Sequence, residues 1–282
     1  MTRRVWFRAG LLGLVVVGVI AGLTAYYSSA STPPCGVSGI PTWQPPTAGQ
    51  PHRFAVVFPD HAACFFAIDD KHRLVGQLSL GDVRDISTAV PNGDEIALRS
   101  ATGPYTLDLR TGRVTQGGLA PFDRNTVVVV DPQESRMYVT QRGLLGFRVI
   151  DLHTGATTYV VHFKGFTWNP HFGPNPPSHG LALRPDRPEL WVLDAPNHSL
   201  HFFDVSATPQ RLGDVRLERT LTAPGSLAQS ADGRYLYVGN TGDVIDTQKR
   251  ESVADLPALQ QAQAVLELDW VDGKPVFPGF RR

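Results

Sequence analysis

PDRPELWVLDAPNHSLHFFDV, residues 185–205, reads as a turn, a strand, a short gap, and a second strand ending in Asp. The same phrase returns at 231–253 as ADGRYLYVGNTGDVIDTQKRESV. Looser copies lie at 91–114, PNGDEIALRSATGPYTLDLRTGRV, and at 132–160, PQESRMYVTQRGLLGFRVIDLHTGATTYV. The copies start at 91, 132, 185 and 231, so the steps are 41, 53 and 46 residues. A period of ~40–50 residues with several short strands is the mark of a β-propeller blade. The expected fold is therefore all-β, a single propeller over residues 52–282. That length accommodates about five four-stranded blades, or six to seven if short elements are undercounted.

Strand positions follow from apolar and β-branched runs bounded by Gly, Pro, Asn and Asp. Inner strands are expected at 54–58, 85–90, 126–131, 180–184 and 226–230. Second strands follow at 64–68, 95–99, 136–140, 189–194 and 235–239. Third strands end at Asp108, Asp151, Asp204 and Asp246, each placed to accept N–H bonds from the turn that follows. Outer strands at 113–116, 157–162 and 211–217 are the least apolar, as expected of a solvent-facing edge. A hairpin at 265–277 is expected to pair with N-terminal strands and close the ring. Residues 256–264 are the one helical candidate, readable equally as a loop.

The N-terminus has a different character. Arg3, Arg4 and Arg8 precede an uncharged run from 9 to 25, AGLLGLVVVGVIAGLTA. A positive flank before an apolar run of this length marks residues 1–30 as a signal peptide or a signal-anchor transmembrane helix. TRRVWFR at 2–8 resembles a twin-arginine export signal. Either reading puts the propeller outside the cytoplasm: at the cell membrane if the helix stays, periplasmic or secreted if it is cleaved. Residues 31–51, rich in Ser, Pro and Gly, read as a spacer. Cys35 and Cys64 both follow the apolar run. An even count in an oxidising compartment allows one disulfide between them. The alternative is two independent thiols, with Cys64 buried as a small apolar residue.

Lys plus Arg equals Asp plus Glu at 26 each. A neutral balance supplies no field for nucleic acid, so the partners expected are the membrane, through the N-terminal helix, and a protein, glycan or small molecule at the channel face. The longest connection, HFKGFTWNPHFGPNPPS at 162–178, leads to His179 at the start of an inner strand. It is aromatic, proline-rich and nearly uncharged, which suits ligand recognition. Trp168, His171, Phe172, Asn175 and His179 are the candidate ligand-binding residues; the competing reading is a lid that fills the channel with Phe and Trp. No GxSxG elbow and no HxH or HExxH spacing occurs, so no catalytic residue, metal ligand or cofactor is assigned.

The residues 178–205, SHGLALRPDRPELWVLDAPNHSLHFFDV, and 213–254, GDVRLERTLTAPGSLAQSADGRYLYVGNTGDVIDTQKRESVA, resemble the YVTN-type propeller repeat proteins. These are grouped with quinoprotein amine dehydrogenase β-chain-like domains and are WD-repeat-like in architecture. The resemblance covers about the last hundred residues and thins out toward the N-terminus. It implies an extracytoplasmic propeller; the expected role is a binding module, since no catalytic cluster is visible in the sequence. It does not imply amine oxidation, because in those enzymes the redox cofactor sits on another subunit. The alternative is a lactonase-like hydrolase or an oxidoreductase scaffold working through carboxylates in the channel.

Overall fold

The computed structural model describes residues 33–117, 127–133, 135–166, 177–221 and 225–278. The apolar run at 9–25 lies outside them. Among the described residues no helix is long and apolar enough to cross a membrane.

The described chain is all-β, with five antiparallel sheets. Sheet I is formed by β1 (Arg53–Val57), β2 (Ala62–Ala67) and β3 (Arg73–Ser79) with two C-terminal strands introduced below. Sheet II contains β4 (Thr88–Asn92), β5 (Glu95–Ser100), β6 (Gly103–Asp108) and β7 (Val114–Gln116). Sheet III contains β8 (Val128–Val130), β9 (Arg136–Gln141), β10 (Leu144–Asp151) and β11 (Thr157–His162). Sheet IV contains β12 (Leu181–Leu183), β13 (Glu189–Asp194), β14 (Ser199–Asp204) and β15 (Gln210–Arg216). Sheet V contains β16 (Leu227–Gln229), β17 (Tyr235–Val238), β18 (Asp243–Asp246) and β19 (Glu251–Asp255). Sheets II to V are each a four-stranded meander in chain order, the strand layout of propeller blades.

Sheet I is different. Its order is β21-β20-β1-β2-β3, where β20 is Val265–Val271 and β21 is Lys274–Val276. The pairing of β20 with β1 sets Phe54 opposite Leu268 and Val57 opposite Val265. The expected closing hairpin is therefore present and joins the N-terminal strand. The expectation of an inner strand at 54–58 is corrected: β1 is the central strand of five, between β20 and β2, with β20 and β21 on its inner side and β20 in contact with β4. Residues 257–261 form a short 3-10 turn within the segment read as helix or loop.

Apolar side chains alternate along the strands and fill the seams between sheets. Phe54, Phe65, Leu98, Leu107 and Leu268 join sheets I and II. Ala55, Cys64, Phe66, Tyr237 and Val244 join I and V. Trp191, Phe202, Leu236 and Ile245 join IV and V. Tyr138, Phe147, Leu190 and Phe203 join III and IV. Among the described residues no buried apolar cluster joins sheets II and III. On the face of sheet III turned away from sheet IV, Val128, Val130 and Val160 are exposed, and the Arg148 Nε is buried without a partner.

Much of the proline-rich segment packs onto this framework: residues from Pro33 onward belong to the compact unit. Cys35 is bonded to Cys64 with the Cα atoms 5.7 Å apart. Gly36 has φ +84°, and the place of a Cβ there is taken by the Pro257 side chain, so both backbone freedom and close approach require glycine. Trp43 is buried and stacks on Phe65 with centroids 4.0 Å apart. The segment therefore forms a cover on sheet I from Cys35 to Trp43.

The turn aspartates behave as their position predicts. Asp108 Oδ1 accepts from the backbone N–H of Arg110 and Thr111, and Asp151 Oδ1 from His153 and Thr154. Asp204 Oδ1 accepts from Ser206, and Asp246 Oδ1 from Gln248 and Lys249. Those donated bonds hold the Asp151 and Asp204 carboxyls below the usual carboxylate range.

At the seam between sheets I and V, His72 is buried and its Nε2 lies 3.1 Å from the Tyr237 hydroxyl. Burial, helped by the nearby Arg234 charge, pushes the His72 pKa down from 6.5 to about 4. Between those two values the unfolded chain binds a proton that the folded chain does not. The contribution is therefore complete above pH 6.5 and is lost as pH falls toward 4. Denaturant titrations from pH 7 to pH 4 should show the wild type losing about 2–3 kcal/mol more than His72→Gln over that range. Parallel curves for the two proteins would show that His72 is not held neutral.

Candidate functional site

The connection from β11 to β12 is the longest between described strands, and its two feet are fixed by side-chain hydrogen bonds. At the leaving end, Phe163 stacks on Phe203 at 5.8 Å and meets the edge of the His201 ring at 4.4 Å. The next carbonyl, Lys164 O, accepts from Asn197 Nδ2 at 3.2 Å. Asn197 also donates from its backbone N and its Nδ2 to Asp194. Asp194 is 1% exposed at the end of β13, and its Oδ2 lies 2.9 Å from His201 Nε2.

The tautomer of His201 follows from its other neighbour. Arg211 Nη2 can only donate, and it lies 2.9 Å from His201 Nδ1. Nδ1 is therefore the acceptor, and Nε2–H donates to Asp194. The result is a chain of groups, Arg211 to His201 to Asp194 to Asn197 to the Lys164 carbonyl. Each member sits on a strand or hairpin of sheet IV, except the last, which is the foot of the connection. The Asp194 carboxylate is saturated by these donors, so its role is to position the connection.

At the returning end, Ser178 is fully buried and its Oγ accepts from Gly146 N at 2.8 Å. Gly146 has φ +135°, and the Val161 carbonyl occupies the place of a Cβ. His179 Nδ1 lies 3.0 Å from the Gly225 carbonyl, which ties the start of β12 to the entry of β16 in sheet V. Of the five residues predicted to bind ligand, the structure describes His179, which is half-buried in this anchor. Trp168, His171, Phe172 and Asn175 lie outside the described residues.

Two features were not anticipated. The first is His201, whose alternation with Phe202 along β14 suggests a side chain facing solvent or a neighbouring blade. It is 5% exposed and pairs within its own sheet. Its pairing with Asp194 spans a hairpin and leaves no fixed spacing in sequence; only the Asp194-x-x-Asn197 step at the turn carried a signal. The second is the Arg184–Glu189 centre between sheets IV and V. Arg184 is fully buried, with Asp186 on its Nε and Thr247 on its Nη1. Glu189 accepts from Trp191 Nε1 and from Arg250 Nη2, both at 2.9 Å. Its carboxylates are each met by a cation or an indole N–H, while Arg250 Nη1 is buried without a hydrogen-bond partner, an arrangement that reads as a joint between blades.

Elsewhere, a cleft of about 390 Å³ lies between the end of β3 and sheet II, lined by Leu80, Val83 and Tyr105, and one of about 830 Å³ lies on sheet II, lined by Asn92, Asp108 and Arg110. Neither borders the anchored connection. Among the described residues no three His, Cys, Asp or Glu side chains gather as metal ligands would.

No protein-family model matches the chain, and no curated protein matches it. Solved structures do resemble it. Hydrazine synthase from Kuenenia stuttgartiensis is 17% identical with a TM-score of 0.38, over 62% of this chain and 50% of that one. A protein from Lactobacillus plantarum is 16% identical with a TM-score of 0.37, over 71% of this chain and 65% of that one. The dihydro-heme d1 dehydrogenase NirN in complex with DHE is 18% identical with a TM-score of 0.34, over 78% of this chain and 48% of that one. The chain thus spans about half to two thirds of the length of these structures. Likenesses this loose bear on no site or activity.

Removing the acceptor at the centre of the chain of bonds strands the Nε2–H of buried His201 and frees the turn that Asn197 holds. Asp194→Ala should lower the free energy of unfolding by about 3 kcal/mol, as read by urea titration. Asp204→Ala, at an exposed turn, should cost much less. Equal effects of the two substitutions would contradict the role given to Asp194.

Proposed function

We propose that the protein is an extracytoplasmic binding module, a propeller framework that presents the 162–179 connection to a ligand, and that it has no catalytic role of its own. The observation that carries the reading is the hydrogen bonding of both feet of that connection to sheets III, IV and V, through Asn197 backed by the buried Asp194–His201 pair, through buried Ser178, and through half-buried His179. Recognition loops are held in this way on rigid scaffolds, because an anchored loop loses less entropy on binding. The residue types between the feet, with Trp168, His171, Phe172 and Asn175, suit a small molecule, glycan or peptide held by aromatic faces and a few polar groups.

The location of the module is argued from other residues. The arginines at 3, 4 and 8 and the apolar run at 9–25 supply an export or anchoring signal. The Cys35–Cys64 disulfide supports an oxidising compartment. Kinship with the YVTN-type repeat proteins rests on the turn-strand units at 178–254, and those units are framework, so kinship carries no substrate.

A thermal-shift screen against glycans, peptides and small molecules, run in parallel on the wild type and Trp168→Ala, tests the proposal. A ligand that raises the wild-type Tm, has no effect on the variant, and leaves the two unliganded Tm values equal is the expected result. A lower unliganded Tm for Trp168→Ala with ligand binding intact would make the connection a plug and end the proposal.

A further inference from the structure

Where two sheets meet, the segment that links them supplies part of the core. Residues 80–87 lead from β3 to β4 and bury Leu80, Val83 and Ile86 between sheets I and II. Residues 256–264 lead from β19 to β20 and bury Leu256, Leu259 and Ala262 between V and I. Residues 217–226 lead from β15 to β16 and place Leu217 and Leu221 between IV and V. Phe163, just after β11, packs between III and IV. In the first two linkers the apolar residues recur every third position.

Sheet III has one face that no such core covers among the described residues. Val129, Tyr138 and Val149 form a row that packs toward sheet IV. Their neighbours along the strands therefore point the other way. On that face Val128 pairs with Val139, Val139 with Arg148, and Arg148 with Val160, one row across four strands. Val130, Met137 and Ile150 form the next row. Val128, Val130 and Val160 are 46%, 43% and 43% exposed. Arg148 sits among the valines, and its Nε is buried without a partner. A buried donor on a cation calls for an acceptor, so the face fits apolar side chains and one acid.

The segment that links sheet II to sheet III has that composition. It leaves β7 after Gln116 and enters β8 at Val128, which belongs to the valine row. Its sequence, GGLAPFDRNTV at 117–127, carries Leu119 and Phe122 three positions apart, followed by Asp123. We propose that residues 118–126 dock on this face of sheet III, with Leu119 and Phe122 against the valines and the Asp123 carboxylate accepting from Arg148 Nε. The reach is sufficient. Arg148 lies two strands from Val128, ~10 Å at the usual strand spacing, and the five steps from Asp123 to Val128 span up to ~17 Å. A second copy or a separate protein on this face would leave the linker without the place that the other linkers have. The proposal is independent of the ligand reading above.

Thiol labelling of the full-length protein tests it, because the two native cysteines are bonded to each other. Val128→Cys and Val160→Cys, introduced singly, should react with a maleimide about tenfold more slowly than Val253→Cys, which is exposed on β19. Adding Leu119→Ser and Phe122→Ser should raise both rates to that of Val253→Cys. Labelling of Val128→Cys and Val160→Cys as fast as Val253→Cys in the otherwise native chain overturns the proposal. So does slow labelling that persists after the two serine substitutions, or that becomes fast on dilution, which would give the face to a second copy. The ionic contact is read separately, by Tm, in variants that keep Leu119 and Phe122. Asp123→Asn should lower the Tm of the wild type and leave that of Arg148→Gln unchanged. An equal drop in both backgrounds would contradict the pairing of Asp123 with Arg148.

Discussion

The insertion of β20 beside β1 is the interaction on which the rest of the fold depends. Leu268 stands opposite Phe54, at nearly the greatest sequence separation the described chain allows. An ionic contact reinforces it: Arg53 reaches Glu267 on β20 at 2.9 Å and Asp232 in sheet V at 3.2 Å. Burial raises the Glu267 carboxyl above its usual range, and the second Glu267 oxygen takes the Ala231 N–H. Sheet I thus holds both ends of the described chain, and its two faces supply the clusters that bind sheets II and V. Such a contact can form only after the whole chain is present, so its loop-closure cost falls late in folding.

The sequence period announces the sheets but not which strand sits where. Turn-strand units such as ADGRYLYVGN recur because local chemistry sets them: Asp and Gly at turns, β-branched residues between. The second and third strands of sheets II to V fall where the pattern puts them, while the inner strands of sheets III to V are trimmed at both ends and that of sheet II is shifted from 85–90 to 88–92. Sheet I departs because the two strands on the inner side of β1 come from the hairpin at 265–276, and nothing local to 54–58 records that pairing. The Asp194–His201 contact escaped for a related reason, since it joins two strands through a hairpin at a spacing with no motif. Of the predicted ligand residues, His179 has a structural place, as an anchor to Gly225, while the aromatic members lie beyond what the structure describes.

A repeated device appears at the outer edges. In four sheets the register between third and fourth strands slips by one residue, at Val75, Thr158, Leu212 and Val253. A bulge at the same place in each blade increases the local twist and limits how far a second strand could extend the sheet. Charge then completes the protection on β15 and β19. The framework therefore divides its labour: turns and bulges repeat with the period, whereas the 162–179 connection and the uncharged β11 that leads into it break the pattern together, on sheet III.

Amide hydrogen exchange, resolved by strand, tests the central claim that β20 closes the fold. The account predicts that amides of β20 and β1 exchange only through global unfolding, as slowly as those of β13 in the core of sheet IV. Exchange in β20 that is orders of magnitude faster than in β13, with β1 following β20, would show that the C-terminal strand is an appendage and not the closure.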